Sequence, residues 1–363
     1  MTVEGIRKAL ISFSSTEKAP LDSLIEEAGE KRVLLLGEAT HGTSEFYRMR
    51  AELSKKLITS GFRLFCLEAD WPDAALIDDY ICWGDQEKRE KAFKRFPLWM
   101  WNNKEFFSWV EWLRGYNRGR KKSEQVRLFG LDMYSLYRSI EAVLWHLSKL
   151  NPDLAQRALE HYSCLSPWKE EPSEYGLAAS LQHKGDCEEE VLSVLQALLE
   201  ERLDHQLTEE EYFDAVQNAK IVAEAERYYR TMYRSSIASW NLRDSHMFET
   251  LQALLDHFGP SSRAVVWAHN SHVGDAYATE MGRRGEFNIG ALCKKEFKRE
   301  AFSIGFGTYG GEVAAADHWE GRMRVKTIRP ALQESCEHVF HQVEEESFYV
   351  SLGGAFRTFP FGV

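Results

Sequence analysis

The sequence predicts an α/β fold: a central, largely parallel sheet flanked by helices, with a large helical insertion and a cleft at the carboxyl ends of the strands. Three observations carry this. Short, fully apolar runs alternate with helical patterns, as strand-helix-strand units do. The first four runs each stop abruptly at an acid or a histidine. Between the third and fourth runs, residues 134–239 read almost wholly as helix. Ligands of open α/β sheets bind outside the carboxyl ends of the strands, where these polar residues fall.

Residues 21–30 form a short amphipathic pattern before the first strand, Val33 to Glu38. Thr43 or Ser44 then caps a helix with Glu45 in its first turn, where a carboxylate suits the dipole. Phe46, Met49, Leu53, Leu57 and Ile58 recur at helical spacing, and Gly61 stops the helix. The second strand, Leu64 to Leu67, ends in Glu68-Ala69-Asp70. A unit of this length implies parallel strands and a right-handed crossover, so Glu38 and Glu68 share one sheet end and are expected to be neighbours. The third strand runs from Val126 to Asp132. The fourth, Ala264 to Ala268, runs into His269-Asn270-Ser271-His272, and a fifth spans Ala301 to Phe306.

Two segments lie between strands. Residues 71–118 hold six of the eleven tryptophans (Trp71, Trp83, Trp99, Trp101, Trp109 and Trp112), which offer an apolar cleft wall. Trp109, Trp112 and Leu113 share one helical face, so part of this richness is core. In residues 134–258 the clearest helices are Ser135 to Leu150, Asp186 to Leu203 and Glu209 to Arg234, with Pro167 and Pro172 marking a loop. The division that follows is an α/β core of residues 1–133 and 240–363 carrying the active site, and an insertion of residues 134–239 covering the cleft.

Composition excludes several classes. A formal net charge of -11 argues against a nucleic-acid binder or a protein docked on anionic membranes. No apolar run is long enough to span a bilayer, and the N-terminus lacks a secretory pattern. Cys66, Cys82, Cys164, Cys187, Cys293 and Cys336 are scattered, without a close pair; they read as reduced cysteines of a cytoplasmic protein.

His41 follows its strand by three residues, beside Gly42, and a glycine there implies close approach of the backbone to something. Imidazole is the usual general base near neutral pH, and an acidic partner orients it, fixes its tautomer and raises its pKa. Glu38 and Glu68 either do this for the histidines and a water, or bind a metal together with His41 and His269. No strict ligand signature is present, so the metal-free, cofactor-free reading is preferred. His269 stands nearer its strand end than His272 and is the stronger candidate. Asp132 serves equally as a helix cap or a site residue. Arg243, in Asn241-Leu242-Arg243-Asp244, reaches into the cleft or makes the commoner surface ion pair. Neither a nucleophile elbow nor a phosphate-binding loop is present.

Six motifs now stand in order: Leu36-Gly37-Glu38-Ala39-Thr40-His41-Gly42, Leu67-Glu68-Ala69-Asp70, Trp99-Met100-Trp101-Asn102, Gly130-Leu131-Asp132-Met133-Tyr134, Asn241-Leu242-Arg243-Asp244 and Trp267-Ala268-His269-Asn270-Ser271-His272-Val273-Gly274. Across roughly residues 30–315 the chain resembles the erythromycin esterase family, some of whose members are called succinoglycan biosynthesis proteins. The resemblance implies an α/β core with a helical insertion and a deep cleft. It implies hydrolysis of an ester, in the best-known members a macrolide lactone, with His41 matching the general base that activates water. Glu38, Glu68, Arg243 and His269 match other residues that line the cleft. The tail from Phe348 to Val363 departs from the family's further strand and helix. The expected protein is a hydrolase of a small-molecule ester or macrolide-like substrate. Its catalytic group is His41, Glu38, Glu68 and His269; Arg243, Asp132, His272 and Trp101 bind substrate.

Overall fold

The computed structural model describes residues 3–95, 97–181, 186–200, 208–318 and 320–352. Its strands are β1 (Leu10–Ser12), β2 (Val33–Leu36), β3 (Leu64–Asp70), β4 (Arg127–Asp132), β5 (Ala264–Trp267), β6 (Ala301–Ile304), β7 (Gly311–Ala315), β8 (Arg324–Ile328) and β9 (Phe348–Val350). Five form one sheet in the order β4-β3-β5-β2-β6, and every pairing in it is parallel. The α/β class is thus as expected, and the polar ends of β2, β3, β4 and β5 share one edge.

The order corrects one expectation. β2 and β3 are not neighbours, because β5 lies between them: Val265 pairs with Leu34 on one side and Phe65 on the other. Two apolar strands joined by one helix need not pair directly; a later strand enters when its two faces are equally apolar, as Ala264–Trp267 are.

Both faces of the sheet are covered. On one, Phe65, Trp109 and Trp267 pack together, with the two indoles stacked at 4.4 Å. On the other, Leu35, Cys66 and Val266 meet Met247, Leu251 and Leu254 of the helix Ser236–His257. That helix therefore belongs to the sheet, and it brings Arg243 and Asp244 to the residues at the strand ends.

The described residues between β4 and that helix contain no strand. Helices Leu136–Leu150, Pro152–Tyr162, Pro172–Ser180, Glu188–Glu200 and Glu209–Met232 share a hydrophobic core of their own. The loop expected at Pro167 and Pro172 is instead a 3-10 turn, Ser163–Trp168, followed by a helix that begins at Pro172. Proline fits there because a first-turn residue needs no backbone donor. Residues 201–203, expected to end one of the helices, lie outside the described residues.

The cysteine reading is also corrected. Cys164 and Cys187 form a disulfide with Cα atoms 6.1 Å apart, while Cys66, Cys82, Cys293 and Cys336 are free. The two are far apart in sequence; the fold of the helical layer brings them within bonding range. Two antiparallel ribbons complete the chain: β1 with β9, and β7 with β8. Residues 353–363 of the divergent tail lie outside the described residues. Among the described residues no helix is long and apolar enough to cross a membrane.

Candidate active site

β2 delivers its carboxylate into the interior. Glu38 is fully buried, and its Oε1 lies 2.7 Å from His41 Nδ1. Its Oε2 accepts from Arg50 Nη2. Arg50 is itself buried, its guanidinium 4.5 Å from the Tyr47 ring and 4.7 Å from the Trp267 ring. Sequence reasoning did not single out Arg50. The signal was available: position 50 completes the apolar helical face Phe46, Leu53 and Leu57, and a cation there requires an internal partner.

His41 donates Nδ1–H to Glu38, which leaves Nε2 without a hydrogen bond among the described residues; the side chain is 34% exposed. Burial disfavours the imidazolium, but the Glu38 hydrogen bond and the charges of Glu68 and Glu38 outweigh it, so its pKa is raised above the usual 6.5. The expected close approach at Gly42 is to the protein itself: a Cβ there would run into the Ala314 carbonyl, and Ala314 N–H donates to the Gly42 carbonyl at 3.2 Å.

A second network lies beside the first. Glu68 accepts from Arg243 Nη2 at 2.8 Å and from the His269 backbone N–H at 2.8 Å. Arg243 also donates Nε and Nη2 to Asp132, at 3.0 and 2.6 Å. His272 Nδ1 stands 2.9 Å from Asp244 Oδ1, and its Nε2 lies 3.3 Å from Glu68 and 3.0 Å from Arg243 Nη1. Burial opposes a charge on His272, but Glu68 and Asp244 hold its pKa up at about 9. Glu68 is buried too, yet His272 and Arg243 hold its carboxyl well below the ordinary range.

The arrangement re-sorts the sequence candidates. Arg243 is an internal ion pair: Nε and Nη2 are spent on Asp132 and Glu68, and Nη1 faces His272. Asp132 caps no helix side chain to backbone; Ser135 occupies that cap position and Asp132 pairs with Arg243. His269 has both ring nitrogens engaged. Nδ1 faces Ser271, whose backbone N–H donates to it, so Nε2 carries the proton to the Ala39 carbonyl at 3.0 Å. Burial pushes the His269 pKa down, and the nearby His41 adds to this. The His41 and His269 rings are 5.2 Å apart. Trp101 does not line a cleft. It is buried among Phe93 and Phe106, and its indole N–H donates to the Glu68 carbonyl. Trp71 and Trp109 are buried as well, so these three indoles serve the core.

The fold and this edge define a class: an α/β protein with a buried acid orienting a half-exposed histidine, an arrangement suited to proton transfer from water. The family model described as erythromycin esterase matches residues 58–359, and the chain belongs to the erythromycin esterase family. The match begins after Glu38 and His41, so it covers Glu68, Asp132, Arg243, His269 and His272 but not that pair.

Relatives agree. The putative hydrolase YbfO of Bacillus subtilis (strain 168) is 20% identical over 338 residues, 88% of this chain and 74% of the relative. The erythromycin esterase type II of Escherichia coli is 22% identical over 323 residues, 82% of this chain and 73% of the relative. Family and relatives together support a hydrolase. A succinoglycan biosynthesis protein has a similar structure, with a TM-score of 0.77 at 23% identity, covering 95% of this chain and 84% of its own. A mutant of the erythromycin esterase EreC in its open conformation gives 0.66 at 18% identity, covering 89% and 82%. At these identities the structural likeness shows the fold.

Proposed function

We propose that the protein hydrolyses a carboxylic ester or lactone of a small molecule, with His41 as the general base. The observation that supports this best is the Glu38–His41 pair. A buried carboxylate holds Nδ1–H, so the free Nε2 is the basic nitrogen and is left for water. His41 takes a proton from that water as the oxygen attacks the carbonyl carbon. The proton then goes to the departing alkoxide, which leaves an acid and an alcohol.

The second network positions the first. Glu68 fixes the His269 backbone, and His269 fixes the Ala39 carbonyl, one residue beyond Glu38. Arg243, Asp132 and His272 keep Glu68 in place. In this reading His269 and Arg243 are positioning residues rather than donors to the substrate, and the helical layer of residues 134–239 walls the cleft.

A metal-dependent hydrolase built on the same acids is the other reading. Glu38 faces Arg50 and Glu68 faces Arg243, and two buried cations in contact with these carboxylates oppose a divalent ion. Incubation with erythromycin and a panel of esters and lactones, with mass spectrometry for the gain of one water, tests the class. His41→Ala is expected to abolish the product without unfolding the protein, and dialysis against EDTA to leave the rate unchanged. Comparable turnover in His41→Ala would sink the mechanism, and loss of activity to EDTA that zinc restores would favour the metal.

A further inference from the structure

One arginine at this sheet edge takes no part in the chemistry above. Arg95 lies between helices Gln86–Lys91 and Leu98–Trp101. Its Nη1 donates to Asp70 Oδ2 at 3.0 Å and to the Tyr134 carbonyl at 2.6 Å. Asp70 is the last residue of β3, and Tyr134 stands two residues beyond β4, so the guanidinium is fixed at the carboxyl edge from two strands. The side chain is 46% exposed. Nε and Nη2 donate to nothing among the described residues.

That division of labour matters chemically. A guanidinium binds a carboxylate through two parallel N–H groups, and the Nε–Nη2 side offers such a pair. Asp70 and the Tyr134 carbonyl hold the opposite corner, so the free edge is presented in a set orientation. Tyr134 links this place to the proposed centre: its ring lies 5.0 Å from the Arg243 guanidinium, and its hydroxyl meets that of Tyr228 at 3.1 Å. β3 is two strands from β2, and strands are spaced by about 4.8 Å, so the ends of these two strands lie roughly 10 Å apart along the edge.

We propose that Arg95 anchors an anionic group of the substrate, so that the preferred esters carry a carboxylate roughly 10 Å from the scissile carbonyl. This deepens the hydrolase reading and rests on it for the position of the carbonyl. An ordinary surface ion pair would spend the guanidinium on its carboxylate and show no preference among ligands.

The test compares octanediamide with its mono-acid, suberamate, a pair that differs only in one terminal charge. Binding to the full chain is read by NMR titration. Suberamate is expected to bind about tenfold more tightly or better, as a charge-assisted contact allows. Arg95→Met is expected to erase the difference and Arg95→Lys to keep part of it. Asp70→Asn removes the competing carboxylate and is expected to widen it. Equal binding of the two ligands, no binding of either, or a preference untouched in a folded Arg95→Met would overturn the proposal. Two 4-nitrophenyl esters separate the two readings: the mono-ester of suberate, which keeps a terminal carboxylate, and the ester of suberamate, which ends in a neutral amide. Hydrolysis without any charge preference overturns the anchor alone; charge-dependent binding with no hydrolysis of any ester overturns the hydrolase reading alone.

Discussion

Removing the charge of Glu38 while keeping its shape separates its two duties. In Glu38→Gln the carboxamide oxygen still accepts from His41, but Arg50 loses its only anionic partner among the described residues. Arg50 is fully buried, and its Nε and Nη1 already have no hydrogen-bond partner among the described residues. A buried charge left uncompensated costs about 3–5 kcal/mol. Total stabilities are about 5–15 kcal/mol, so the single variant is expected to lose a large part of its folding free energy. Arg50→Met in the same chain removes the orphaned cation and fills the slot between Tyr47 and Trp267 with apolar atoms. The double variant is therefore expected to regain most of the lost stability. Activity is not expected to return with it, because the charge that orients and holds up the His41 imidazole is still gone. Urea unfolding gives the stabilities, and turnover of the best ester found gives the rates. A stable Glu38→Gln would refute the charge-pair reasoning, and a double variant with wild-type turnover would show that His41 does not need the Glu38 charge.

Four further predictions follow. The base must be neutral, and the His41 pKa is raised, so kcat/KM is expected to climb with pH through a point above 6.5; a midpoint below 6.5 would contradict the Glu38 partnership. Stability runs the other way. The raised pKa values of His41 and His272 contribute fully below about 6.5 and are lost as pH rises through the folded values, that of His272 being about 9, so Tm is expected to fall across that window. Gly42→Ala would drive a methyl group into the Ala314 carbonyl and displace the His41 loop; a roughly hundredfold loss of rate is expected, in keeping with a displacement of about 1 Å, and an unchanged rate would show that the ribbon yields instead. Trapping thiols before and after reduction is expected to add two alkyl groups on reduction, at Cys164 and Cys187; alkylation of both without reductant would return them to the reduced state expected of a cytoplasmic chain.

The strands were legible because each is an apolar run that stops at a charged or ring residue, and these stops are the site: Glu38, Glu68, Asp132 and His269 all follow from where hydrophobicity ends. Strand order was not legible. β5 enters between β2 and β3 because its faces match theirs, and no local pattern records that choice. Trp101 was misread for a related reason. An indole on a short helix is equally apolar in a cleft wall or under one, and only the Glu68 carbonyl above it decides. Arg243 shows the opposite failure. Its sequence neighbourhood looks like a solvated helix start, and burial becomes evident only once the helix is seen to begin seven residues earlier, at Ser236.

Charge balance explains why the histidines of one edge divide their labour. Three carboxyl groups, Glu38, Glu68 and Asp132, meet two guanidinium groups, Arg50 and Arg243, and a fourth, Asp244, meets His272. The negative charge gathered here favours the protonated form of any imidazole that touches it. His41 and His272 are each in contact with a carboxylate, and both have raised pKa values. His269 touches no carboxylate through its ring; it meets a serine and a backbone carbonyl, and its pKa is lowered. His272 is enclosed by Asp244, Glu68, Arg243 and the stacked Trp240 ring, so its proton has no path to a ligand. Of the three, His41 alone combines a raised pKa with a free nitrogen and exposure. The same charge can be removed in part: Asp244→Asn takes away one negative charge next to His272, so His272 is expected to titrate well below 9 while the acid limb of the His41 rate profile stays in place. Two-dimensional NMR of the imidazole protons measures both, and a His41 midpoint that follows His272 downward would show one coupled proton store instead of two separate histidines.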